Sequence, residues 1–161
     1  MRWLYFTALA AFLVDQISKL VVIYGMDLER IRAIDVLPPI LNFRYGENRG
    51  INFGLLDGGS ESSRWILIAL AILICGIVFV WVRRTELGPA AYGAAGLLIG
   101  GALANVLDRV IYGYVLDFLN MSCCGIDNPF VFNLADVFIF LGAVGLVFLA
   151  PDSKSATEKE P

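Results

Sequence analysis

Apolar residues run along this chain in blocks rather than in stripes. The blocks cover about residues 3–24, 65–82, 89–107 and 132–150. A helix needs roughly 20 residues to cross the hydrocarbon core of a bilayer. The block at 65–82 carries no charge and lies near the short end of that range; the block at 132–150 reaches it only with its polar start FNLAD included. The pattern predicts a mainly α membrane protein with four transmembrane helices. ALAA at 8–11 resembles a signal-peptide cleavage site, but only Trp3 to Thr7 precede it after Arg2, too short for an apolar core. The first block therefore reads as a retained helix.

Between the first two blocks the period changes. In ILNFRYG, Leu41, Phe43 and Tyr45 alternate with Asn42 and Arg44; in INFGLL, Ile51, Phe53 and Leu55 alternate with Asn52 and Gly54. GENRG at 46–50 lies between them. Residues of about 36–56 thus read as a β-rich lobe, a hairpin or small sheet with one apolar face, and DGGSESS at 57–63 as the return to the second helix. GLLIG at 96–100 has the small-xxx-small spacing that lets helices approach closely in lipid. With a short polar tail at 151–161, the whole chain of 161 residues reads as one integral membrane domain.

Four spans place Arg2, Arg83, Arg84, Lys154 and Lys159 on one side. The positive-inside tendency makes that side cytoplasmic, and the β-rich lobe extracytoplasmic. Arg30, Arg32, Arg44, Arg49 and Arg64 in the opposing loop weaken this contrast. Charged residues make up 17% of the chain, against about a quarter in a soluble domain. The net charge of −3 comes without a basic tract, so the expected surroundings are membrane lipids, and no nucleic-acid partner is expected. Histidine is absent, which removes Ser-His and Cys-His nucleophiles and His-ligated zinc. Cys75 lies mid-span and Cys123 and Cys124 are adjacent, without a ligand-spaced pattern. No metal and no cofactor is expected.

Polar residues inside the spans are costly and are therefore candidates for function. Asp15 and Lys19 are i and i+4 on the first helix and can pair, which argues for a packing role more than for direct chemistry. Ser18 and Lys19 point about 100° apart, which disfavours a Ser-Lys nucleophile. Asn105, Asp108 and Arg109 end the third helix, either as interfacial anchors or as groups that orient others. Asn133 and Asp136 fit an N-cap with an acid at N3, where the helix dipole stabilises negative charge. That reading needs no catalysis, yet leaves Asp117, in VLDF before a loop, unexplained. The alternative makes Asp117 and Asp136 a working pair. Two close carboxylates cannot both ionise cheaply, so one keeps a proton. The charged one can take a proton from water while the other polarises a carbonyl and protonates a leaving amine.

DQISK (15–19), ENRGINF (47–53), GGALANVLDR (100–109), VLDF (115–118) and FNLAD (132–136) together resemble the ordered motif set of the bacterial lipoprotein signal peptidases, or signal peptidase II. The resemblance covers nearly the whole chain. It implies four membrane helices, a small extracytoplasmic β-rich lobe, and an aspartyl endopeptidase of the bacterial inner membrane with its active site toward the outer leaflet. Such an enzyme removes signal peptides from diacylglyceryl-modified prolipoproteins, cutting just before the lipidated cysteine. The resemblance puts the catalytic pair on Asp117 and Asp136. It puts supporting or substrate-binding positions on Asp15, Lys19, Asn48, Gly50, Asn105, Asp108, Arg109 and Asn133. It also implies inhibition by globomycin-type cyclic peptides. Asn52 departs from the small residue usual before the loop Phe, and NMSCCGIDNPF at 120–130 matches no motif. The alternative function is a non-enzymatic carrier or scaffold, since acids and amides in helices also mark ion pathways.

Overall fold

The computed structural model describes residues 1–50, 61–123, 125 and 128–149. Helix α1 (Arg2–Lys19) continues through a π-helical turn, Leu20–Gly25, into the short α2 (Leu28–Ile31). Strands β1 (Ala33–Leu37) and β2 (Leu41–Asn48) follow. Then come α3 (Glu61–Arg84), α4 (Pro89–Tyr112), strand β3 (Val115–Asn120) and α5 (Leu134–Leu149). Among the described residues, three helical stretches are long and apolar enough to cross a membrane: Arg2–Gly25, Glu61–Arg84 and Pro89–Tyr112. Helix α5 is apolar but has only 16 residues. The ends also differ from the pattern reading: α3 begins at Glu61 and α4 extends to Tyr112. Polar and charged residues extend both helices, because intrahelical hydrogen bonds continue past the apolar block.

Helix α4 is the central member, packed against α1, α3 and α5. Its glycines make this feasible. A Cβ on Gly100 would strike the backbone of Ala8 in α1, and one on Gly101 would meet the carbonyl of Ala135 in α5 at 2.6 Å. The GLLIG spacing therefore packs the bundle internally. The outer faces carry exposed Leu9, Leu13, Leu73, Ile77, Val147 and Phe148. So much contiguous apolar surface suits hydrocarbon rather than water.

The lobe is a three-stranded antiparallel sheet in the order β1-β2-β3. Its hairpin joins β1 to β2, with Ile34 opposite Phe43. Gly46 to Asn48 belong to the strand, because β2 runs on to pair with β3: Gly46 lies opposite Asp117 and Asn48 opposite Val115. The expected partner INFGLL lies outside the described residues. VLDF is thus strand, ahead of the loop that begins beyond Asn120. Its alternation sends Leu116 and Phe118 into an apolar cluster with Val22, Ile23 and Leu28, and turns Asp117 to the opposite face. A second apolar cluster joins Leu4, Cys75, Val82, Ala91, Ala95 and Leu98 at the other end of the bundle. The buried polar residues Asp15, Lys19, Asn105, Asp108, Asp117 and Asn133 occupy a third group distinct from both.

Candidate active site

The polar group begins with α5. Asp136 N–H donates to Asn133 Oδ1 at 2.9 Å, and Asn133 N–H donates to Asp136 Oδ2 at 3.3 Å. This is the reciprocal cap expected of N-x-x-D. The same Asn133 donates from Nδ2 to Asp117 Oδ1 at 2.6 Å. One amide side chain therefore touches both aspartates, one from the middle of a sheet strand and one from the first turn of a helix. Asn105 donates to Asp136 Oδ1 at 2.9 Å, and its own Oδ1 accepts from Asn133 at 3.2 Å.

Beneath the two aspartates lies an ion cluster. Lys19 Nζ is 2.7 Å from Asp15 Oδ2 and 2.7 Å from Asp108 Oδ2. All three are almost completely buried. Buried charges persist only when paired and hydrogen-bonded. Here Asp15 also accepts from Ala135 N–H at 2.8 Å, and Asp108 from Leu116 N–H at 3.1 Å and Gln16 Nε2 at 2.8 Å. Asp108 is thus an interior group rather than an interfacial anchor. Ser18 Oγ donates to its own helix at Asp15 O, and paired Lys19 is no free base.

Asp117 is 3% exposed. Burial, then the neighbouring Asp136 charge, push its carboxyl up to about 7, against the opposing effect of hydrogen bonds from Asn133 and Asn48. Such a carboxyl holds a proton near neutral pH, as an acid catalyst must. Asn48 is anchored in turn, accepting from Gly50 N–H at 3.1 Å. Gly50 has φ +100°, a conformation that favours glycine. The Arg109 guanidinium lies within electrostatic reach of Asp136, Asp117 and Asp108.

Asp117 opens onto a cleft of about 440 Å³ lined also by Gly46, Glu47, Asn48, Gly50, Pro129, Phe130 and Val131. Its size and mixed lining suit an extended peptide. A second, smaller cavity of about 200 Å³ runs between α3, α4 and α5, apolar at Ala71, Ile74, Leu98, Ala102 and Ile139, with Asn105 and Arg109 at its polar end.

All ten residues singled out from the sequence fall at this one end of the bundle or on the strand and turn above it. Sequence reasoning did not find the peptide N–H groups of Leu116 and Ala135, nor the cleft wall Pro129–Val131. Part of the unassigned stretch builds that wall: Asn120 Nδ2 donates to the carbonyls of Asn128 at 2.7 Å and Phe130 at 2.9 Å. Gly46 could have been found only through its pairing with Asp117.

Among the described residues, no His, Cys, Asp or Glu group has the makings of a metal site.

The chain is similar to known proteins over nearly its whole length. The family model described as signal peptidase (SPase) II matches residues 7–150. A lipoprotein signal peptidase of Alteromonas mediterranea is 37% identical, covering 96% of this chain and 85% of its own. One from Caulobacter vibrioides is 38% identical, covering 97% and 92%. A solved structure described as a bacterial membrane enzyme superposes with a TM-score of 0.72 at 25% identity, covering 97% of this chain and 92% of that one. The family match and these likenesses agree, and the chain belongs to the signal peptidase II family.

Proposed function

We propose that this membrane peptidase is an aspartyl endopeptidase that removes signal peptides from diacylglyceryl-modified prolipoproteins just before the lipidated cysteine, with Asp117 and Asp136 as its catalytic pair. Family membership supports the peptidase and its prolipoprotein substrates and leaves the carrier or scaffold reading without support. The observation that carries the pair is Asn133, which hydrogen-bonds both carboxyl-bearing residues beside a peptide-sized cleft.

In the first step Asp136 takes a proton from water as its oxygen attacks the scissile carbonyl carbon. The proton of Asp117 passes to the carbonyl oxygen, giving a neutral gem-diol. In the second step Asp117 takes back a hydroxyl proton as the carbonyl re-forms and the C–N bond breaks. Asp136 gives its proton to the departing amine, and the pair returns to its starting state. Asn48, Asn105 and Asn133 hold the two carboxyls in place. The peptide occupies the cleft along β2, and the apolar cavity between α3, α4 and α5 suits an acyl chain. Globomycin-type cyclic peptides would compete for the same space.

The site lies where α1 and α4 end and α5 begins, beside the sheet. Arg2 and Arg83–Arg84 lie at the opposite helix ends. The positive-inside tendency then puts the termini in the cytoplasm and the aspartates toward the outer leaflet of the bacterial inner membrane. Helix α5 is the fourth span in this arrangement.

The test is cleavage of a diacylglyceryl-modified prolipoprotein by the purified protein in detergent, with a chelator control. Wild type is expected to cut with or without chelator, while folded Asp117→Asn and Asp136→Asn do not. Cleavage by either variant would refute the pair.

A further inference from the structure

The ion cluster beneath the aspartates is joined to them in a way that family membership does not explain. Asp108 Oδ2 accepts from the backbone N–H of Leu116, at 3.1 Å. Asp15 Oδ1 accepts from the backbone N–H of Ala135, at 2.8 Å. Leu116 immediately precedes Asp117, and Ala135 immediately precedes Asp136. Each reacting carboxyl is thus one residue beyond a peptide group gripped by a buried carboxylate. Both of those carboxylates grip the same ammonium, Lys19 Nζ, at 2.7 Å each.

We infer that Lys19, through Asp15 and Asp108, sets the separation of Asp117 and Asp136 by clamping the backbone ahead of each. Asp117 stands on a strand and Asp136 on a helix, and the two elements come from separate stretches of chain. Consecutive Cα atoms are 3.80 Å apart across a trans peptide, so fixing the preceding N–H leaves little freedom to the aspartate's own Cα. Hydrogen bonds to charged acceptors are about twice as strong as neutral ones. Lys19 itself is only 2% exposed, and removing one partner of such a cluster leaves a charge uncompensated in low dielectric. Lys19, Asp15 and Asp108 are positioning residues in this arrangement, and none of them handles a substrate proton.

The inference rests on the aspartyl reading of the site, and the experiment separates the two. The purified full chain, labelled with 15N at leucine and alanine, is followed in detergent by amide hydrogen exchange at Leu116 and Ala135, and by steady-state cleavage of the lipid-modified precursor. Asp108→Ala is expected to speed exchange at Leu116 about tenfold or more, the loss of one charge-assisted hydrogen bond, while Ala135 stays protected. Asp15→Ala is expected to do the reverse, and Lys19→Met to loosen both. Each variant is expected to lower kcat about 100-fold, the effect of a small misplacement of reacting groups, with KM little changed. Unchanged local exchange or unchanged kcat in a folded variant overturns the inference. So does loss of protection spread evenly along the chain, which would mark the cluster as general packing. Where an Ala variant unfolds, Asp108→Asn or Asp15→Asn takes its place. These keep an amide acceptor without the charge, and wild-type kcat in them, or their own failure to fold, also overturns it. Asp117→Asn and Asp136→Asn form the separate arm. Cleavage by either sinks the aspartyl reading, while exchange at Leu116 and Ala135 still reports whether the clamp exists.

Discussion

Asn133 donates to Asp117 across 2.6 Å while capping the helix that carries Asp136. A residue that looks like a helix cap is therefore also the bridge between the two acids. Capping and bridging are compatible here, because the side chain uses its oxygen for one and its nitrogen for the other.

This bridge predicts a double loss. Asn133→Ala removes the cap of α5 and the donor to Asp117 together. Stability is expected to fall by about 1–3 kcal/mol, the cost of leaving buried polar groups unmade. Cleavage should fall about 100-fold or more. Thermal unfolding in detergent and turnover of the lipid-modified precursor check both parts. A variant of wild-type activity would remove Asn133 from the mechanism.

The carboxyl of Asp117 predicts a pH dependence. Its ordinary value is 3.8, and burial beside Asp136 raises it to about 7 in the fold. A group raised in this way favours the folded state most when protonated. Its contribution is fully present below pH 3.8 and is lost as pH rises toward and through about 7. Asp117→Asn should therefore be more stable than wild type above neutrality, with the difference narrowing toward acid pH. Wild-type kcat should likewise fall as pH rises past about 7, where the acid loses its proton. Melting curves and rates across this range are the measurements. A rate that stays level well above neutrality would contradict the role of Asp117 as acid.

Helix contact predicts a packing defect. A Cβ at Gly100 would collide with the backbone of Ala8, not with a movable side chain. Gly100→Ala should push α1 from α4 and cost about 1–3 kcal/mol. The same substitution at Gly76, which has nothing within 4 Å, should cost little. The pair of melting temperatures gives the comparison.

The cleft wall predicts a binding effect without a folding effect. Phe130 is 74% exposed and lines the cleft over Asp117. Phe130→Ala should leave the melting temperature unchanged and raise KM about tenfold, the equivalent of 1.4 kcal/mol of lost contact. Unchanged KM would place the substrate elsewhere.

The candidate residues were legible because polar groups inside apolar blocks have few explanations. Asp15, Lys19, Asn105, Asp108, Asn133 and Asp136 stood out against their neighbours for that reason. The lobe was legible as β structure but not in its pairing. Alternation marks Leu41–Tyr45 as a strand, yet several segments could have been its partner. The helices were legible as blocks, while their ends were not: charged residues at Glu61 and Arg109 remain helical because their backbone bonds persist.

Composition and spacing along the chain supply the inventory: apolar blocks that demand lipid, glycines that permit close helices, and acids too costly to bury without partners. Those features depend on composition and short spacing, which any reader of the chain can measure. The tertiary structure decided which acid meets which partner. Asp15 to Ala135 and Asp108 to Leu116 are contacts between separate elements, and no local period specifies them. They form because α4 packs against both α1 and α5 while β3 follows α4 directly. Once desolvated there, each charge must find the donors that this packing brings within reach.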